Sequence, residues 1–300
     1  MTAIVKQGSI AGSESGGPPT ARGGGRSIGT ILIQSGRLTL ENAERILQLQ
    51  HEQGLRFGDA AMQLGLITQA DIQYALSRQF DYPYPLLGQS DVSEDLIAAY
   101  APFTPQVEAL RALRSQLILR WFDADHAHKA LAIVSAARNE GRSFIAANLA
   151  VVFSQLGEHT LLIDADLRTP CQHKHFGLDS RSGLSAVLSG RSGPEAIQRI
   201  VALRDLSVLP AGALPPNPQE LLARAQFPEL LQDLAKEFDV IILDSPAAAE
   251  YADAQTLAAR AGAALIVARK NATSLSQARG VVDSLTHAKA TVVGTVLNDF

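Results

Sequence analysis

The 300-residue sequence predicts an α/β fold, a mostly parallel sheet with helices on both faces, preceded by a small all-α repeat domain. Three observations predict it. Short apolar runs at 130–134, 160–163, 240–243, 263–267 and 290–297 alternate with helical stretches, as strands covered on both faces do. A tight polar turn at 136–141 leads into a segment that is apolar almost without break from Ser143 to Phe153, and strand, turn, buried helix is the order in which a backbone loop cradles phosphate. The stretch from Ser27 also repeats itself at an offset of 29 residues.

Composition narrows the classes of function. A hydrophobic content of 46% supports sizeable cores, and a net charge of −4 gives no global pull toward nucleic acid or membranes. The single cysteine, Cys171, excludes an internal disulfide and fits a reducing compartment. The chain lacks both an apolar run of about 18 residues and a secretory signal core. The expectation is a cytoplasmic chain that reaches the inner membrane only through a partner.

Residues 1–26, rich in Gly, Ser and Pro, read as a flexible tail. In the repeat, Gly29, Gln34, Gly36, Thr39 and Gln50 return as Gly58, Gln63, Gly65, Thr68 and Gln79. Each half reads as a short helix, a Gly break and a longer Thr-led helix. The two halves, 27–50 and 56–79 with 51–55 between them, resemble the N-terminal domain of type II secretion and pilus ATPases. That domain's cyclic-di-GMP-binding version has paired motifs beginning Arg-Leu-Gly and ending in Gln. The resemblance implies a cyclic-di-GMP site on Arg26, Gly29, Gly36, Arg56, Gly58 and Gly65, with Arg56 stacking a guanine. Ser27 stands where the first motif has its arginine, and the glycines alone would equally suit a helical docking module.

Residues 81–105, with prolines at 83, 85, 102 and 105, read as a linker, leaving 106–300 as the second domain. Glu108, Arg111 and Arg114 then line one face of an amphipathic helix, which by itself is a solvated charged face.

Within the loop, Ala136-x-x-x-x-Gly141-Arg142-Ser143 approximates the phosphate-loop pattern G-x-x-x-x-G-K-[ST]. Gly141 lets backbone approach a phosphate, and Ser143 presents a hydroxyl. Arg142 keeps the lysine's charge but is a planar fork rather than a compact ammonium. Asp164 and Asp166 end the 160–163 strand, and Asp244 ends the 240–243 strand. Carboxylates at strand C-termini face the crevice where parallel α/β sheets bind ligands. Asp244 has the placement of a carboxylate near a nucleotide's Mg²⁺.

Four motifs in order, at 108–114, 136–143, 163–170 and 240–244, with support from 209–222, resemble the cytoplasmic tyrosine autokinases that control polysaccharide chain length in bacteria. With the repeat included, the likeness is to the exopolysaccharide chain-length-determinant tyrosine kinases, which are P-loop NTPase-like. The resemblance implies ATP or ADP with Mg²⁺ held by Arg138, Asn139, Glu140, Gly141, Arg142, Ser143, Phe144 and Arg168. Ser143, Asp166 and Asp244 would serve the metal, Asp164 would be the base, and Asp166 and Arg142 would complete the catalytic set. It also implies homo-oligomeric rings through Glu108, Arg111 and Arg114, and a membrane-bound co-polymerase partner. The family's terminal tyrosine cluster is missing, the tyrosines being 74, 82, 84, 100 and 251. A nucleotide-binding adaptor without phosphotransfer is therefore one alternative. A partition- or division-site-positioning ATPase is another, although Ala137 stands where those carry a signature lysine.

Overall fold

A computed structural model describes residues 2–3, 27–79, 85, 88, 90–122 and 128–299. They fall into two compact units, one within 8–86 and the other within 87–300 together with the first residues.

The helical unit consists of α1 (Ile28–Gln34), α2 (Leu40–Gln53), α3 (Phe57–Gln63) and α4 (Gln69–Gln79). Ser27 and Thr39 cap α1 and α2 by accepting the Thr30 and Asn42 N–H groups. Its core obeys the repeat: Ile31, Leu32, Leu38, Ala43 and Ile46 are buried, and so, 29 residues on, are Ala60, Ala61, Ile67, Ile72 and Ala75. Packing is reciprocal, α1 against α4 and α2 against α3. Gly36 and Gly65 end their helices at φ +71° and +65°, a conformation that costs glycine nothing. Gly29 and Gly58 are different. A Cβ at Gly29 would press on Phe57, and one at Gly58 on Ile72, each at 3.1 Å, so these two glycines admit neighbouring side chains. Arg56 is exposed at the start of α3, and Arg37 pairs with Asp71 at 2.6 Å. Arg26 lies outside the described residues.

In the second unit a two-residue strand, β1 (Thr2–Ala3), lies where composition predicts only a tail. Residues 91–105, expected as linker, belong to the fold. The short helix α5 (Ile97–Tyr100) lays Leu96, Ala98 and Ala99 into the main core. Asn148 accepts the Ala98 N–H at 2.9 Å, and Gln155 donates to its carbonyl at 2.8 Å. Tyr82 and Tyr84 lie outside the described residues. α6 (Pro105–Leu117), capped by Thr104 with proline in its first turn, runs into a π-turn at Ile118–Phe122.

The sheet follows: β2 (Ala130–Ser135), α7 (Arg142–Ser154), β3 (Thr160–Asp164), α8 (Gln172–His175), α9 (Leu184–Leu188), β4 (Gln198–Arg199), β5 (Leu206–Leu209), α10 (Pro218–Ala223), α11 (Gln226–Glu237), β6 (Val240–Asp244), α12 (Asp253–Ala261), β7 (Ala263–Arg269), α13 (Leu275–His287) and β8 (Thr291–Asn298). Strand order is β1-β8-β7-β2-β6-β3-β5-β4, parallel throughout except for the β4–β5 pair. Strands β3 and β6 are buried at every position, which is why they read as unbroken apolar runs. α7 is buried on nearly all sides, and its alanines at 146, 147 and 150 let it lie close on the strands. β2, β6 and β3 are adjacent, so their carboxyl ends and the N-terminus of α7 meet at one edge.

Candidate active site

The loop after β2 is held from within and from behind. Asn139 takes a left-handed φ of +59°, and Gly141 a φ of +88° immediately before α7; at Gly141 a side chain would be strained. Glu140, 2% exposed, accepts the Ala137 N–H at 2.8 Å and a hydroxyl bond from Thr273. Asn298 on β8 donates to the Glu140 carbonyl at 3.0 Å, and Arg269 on β7 donates to that of Asn139 at 3.1 Å. The loop is thus fixed by β7 and β8 and by the segment joining them. The first-turn N–H groups of α7, which have no partner inside the helix, face the crevice.

Register brings the carboxylates together. Asp164 pairs with Asp244 across the parallel β3–β6 ladder, and Ile133 on β2 lies opposite Asp244. Asp164 Oδ2 accepts the N–H groups of Cys171 and Gln172 at 3.1 and 2.9 Å, capping α8, while Oδ1 is buried without a partner. Burial, and then the charge of Asp244, hold the Asp164 carboxyl well above the usual carboxylate range. Asp244 is also raised by burial, against the opposing pull of Arg142.

Asp166 accepts the Arg168 and Thr169 N–H groups at 3.1 and 2.8 Å and the Thr169 hydroxyl at 3.0 Å, which aims its second oxygen at Arg142. Ser143 lies in the first turn of α7, where its hydroxyl partly offsets the effect of burial on the Asp244 carboxyl. Arg142 is buried among Ser135, Asp166 and Asp244. Seven of the sequence-derived positions, 140–143, 164, 166 and 244, therefore converge.

Others turn aside. Phe144 packs against the core. Arg168 pairs with Asp253 at 2.5 Å and stacks over the Tyr251 ring at 3.7 Å. Arg138 grips Glu250, with both oxygens 2.9 Å from Nε, and reaches the Tyr251 hydroxyl at 3.5 Å. On α6, Glu108 and Arg111 pair at 3.3 Å, and Arg114 donates to the Val152 carbonyl of α7 at 2.6 Å. That arginine is thus engaged within its own chain.

Sequence reasoning missed Gln172, which is fully buried. Its amide donates to Asp244 Oδ2 at 2.7 Å and to the Ser143 carbonyl at 3.1 Å, tying α8 to the loop helix. It also missed Cys171, whose thiol is pushed up to about 12 chiefly by burial, with Asp244 adding to it. The only sequence signal for either was a proline just ahead of a helix start.

The donor set fits a hard cation. Asp166, Asp244 and the Ser143 hydroxyl offer oxygen alone, and Asp164 and Asp244 each keep a buried oxygen without a hydrogen bond. Among the described residues no group of three His, Cys, Asp or Glu forms a closed metal cage. Mg²⁺ is generally taken by one or two carboxylates, with water and phosphate in the remaining positions. No helix among the described residues is long and apolar enough to cross a membrane.

The family model described as Cellulose biosynthesis protein BcsQ matches residues 129–287. The chain is 35% identical over 209 residues to tyrosine-protein kinase YwqD of Bacillus subtilis, covering 70% of this chain and 87% of that one. It is 35% identical over 203 residues to putative tyrosine-protein kinase EpsB of Ralstonia solanacearum, covering 68% of this chain but only 27% of that longer protein. The kinase domain of Escherichia coli tyrosine kinase ETK superposes with a TM-score of 0.65 at 31% identity, over 68% of this chain and 79% of that domain. The chain belongs to the bacterial tyrosine-protein kinase family, and over residues 129–287 it matches the family of Cellulose biosynthesis protein BcsQ.

Proposed function

We propose that residues 87–300 bind a nucleoside triphosphate with Mg²⁺ at the 137–143 loop and transfer its γ-phosphoryl group to a protein tyrosine, in the service of exopolysaccharide export and chain-length control. The observation that carries this is the convergence of Ser143, Asp164, Asp166 and Asp244 at the ends of three adjacent parallel strands. Loop N–H groups and Arg142 hold the phosphates, while Asp166 and Asp244 face the metal's water shell. Bound Mg²⁺ would supply charge neutralisation on the phosphate oxygens. Asp164 takes the proton from the tyrosine hydroxyl as that oxygen bonds to phosphorus and ADP leaves. Such a carboxylate base contributes about 10²–10⁴-fold, and the remainder is positioning and electrostatics.

Calorimetry with ADP and Mg²⁺ tests the site. Ser143→Ala removes a charge-assisted contact worth about 1.5–3 kcal/mol, so affinity is expected to fall at least about tenfold. Equal binding by both proteins, or none by either, removes the proposal. Incubation with labelled ATP, alone and with the cytoplasmic segment of the co-polymerase partner, separates kinase from adaptor: phosphotyrosine on either chain excludes the adaptor.

The helical unit is proposed as the regulatory input, reading cyclic-di-GMP on exposed Arg56, whose guanidinium stacks a guanine. Titration should give micromolar binding that Arg56→Ala abolishes. No heat at high ligand concentration would leave the unit a protein-docking module.

A further inference from the structure

Arg142 stands where a phosphate loop carries lysine, and the difference in shape matters. An ammonium is a compact point charge, whereas a guanidinium is a planar fork with five donors that reaches several acceptors at once. Here Nη1 donates to the Ser135 hydroxyl at 2.8 Å and Nη2 to Asp166 Oδ2 at 3.3 Å. Nε lies 3.5 Å from Asp244 Oδ1, close enough for an ion pair but without hydrogen-bond alignment, so both atoms remain buried and unbonded. The guanidinium thus sits between two carboxylates that are 2% and 0% exposed, with 9% exposure of its own side chain.

Those two carboxylates are the ones the nucleotide reading assigns to the metal. Resting on that reading, we propose that Arg142 is a tethered resident cation, neutralising Asp166 and Asp244 and competing with the divalent ion for them. Two positive charges cannot share one pair of oxygens, so the ion gains its place only when phosphates draw the guanidinium away. The chain would then bind its metal after, and because of, its nucleotide. The imperfect Asp244 contact is the weak point of the resting arrangement, since one oxygen there awaits a better partner.

The test uses the full chain without nucleotide and Mn²⁺ as probe, comparing wild type with Arg142→Gln and Arg142→Lys by spin-resonance titration and by thermal melting with and without chelator. Wild type should bind Mn²⁺ at least about tenfold more weakly than Arg142→Gln, and its melting temperature should not respond to the ion. Arg142→Gln leaves the carboxylates uncompensated, so it should melt lower in chelator and recover with Mn²⁺. Equal Mn²⁺ affinity in wild type and Arg142→Gln overturns the proposal. If Arg142→Gln does not fold, Arg142→Lys decides, because its shorter head leaves Asp244 open: Mn²⁺ affinity above that of wild type supports the proposal, and equal affinity overturns it. Failure of ADP binding would remove the function proposed above, yet this comparison, made without nucleotide, would still give its answer.

Discussion

Asp164→Asn is expected to lower tyrosine phosphorylation by about 10²–10⁴-fold while making the resting protein more stable. The two effects share one cause. Asp164 is fully buried, in register with Asp244 on the neighbouring strand, and its carboxyl is raised by burial first and by Asp244 second. A carboxyl whose pKa rises on folding contributes stability that is complete below its unfolded pKa, near about 4. That stability is lost as pH climbs through the folded value. As pH rises above the unfolded value the wild type therefore bears a growing cost for an acid that burial and Asp244 keep from ionising freely. Asparagine keeps an acceptor for the Cys171 and Gln172 N–H groups and removes that cost. A gain of about 1–2 kcal/mol, or about 2–8 °C in Tm for a unit of this size, is expected at pH 8, shrinking toward pH 4. Calorimetric melting across that range checks it. An unchanged or lower Tm at pH 8 would mean that Asp164 is not the strained group, and unchanged phosphorylation would mean that it is not the base.

Phe153→Ala should cost about 3–5 kcal/mol. Phe153 is fully buried on α7 and meets the Phe122 ring edge-to-face, with centroids 5.3 Å apart at 73°. It joins the π-turn after α6 to the C-terminal end of α7, the helix that the phosphate loop opens. Denaturant unfolding should show the loss in midpoint with little change in slope. Phe153→Leu, which keeps most of the volume, should cost about 1 kcal/mol. A loss below about 1 kcal/mol for alanine would show that the helix repacks freely.

Much of this protein was legible in its sequence because parallel strands and buried helices leave local records. Apolar runs ending in Asp164 and Asp244, Gly141 ahead of an alanine-rich helix, and a core repeating at 29 residues are patterns of period and terminus, fixed by backbone geometry. They announced the fold, the loop and the three acidic groups. Tertiary structure alone decided the rest, because it depends on which distant groups share a buried volume. Burial of 91–105 on α7 rests on Asn148 and Gln155 reaching back about fifty residues to Ala98; proline spacing carries no trace of that. Gln172 enters the site only because α8 starts on Asp164. Arg138 and Arg168, which the family resemblance implies as nucleotide-binding residues, pair with Glu250 and Asp253, residues that follow β6 in the chain. The raised Asp164 carboxyl follows first from burial and then from the β3–β6 register, which sets Asp244 beside it out of water. Residue type determined the chemistry available; the pairing of strands determined which charges must face one another.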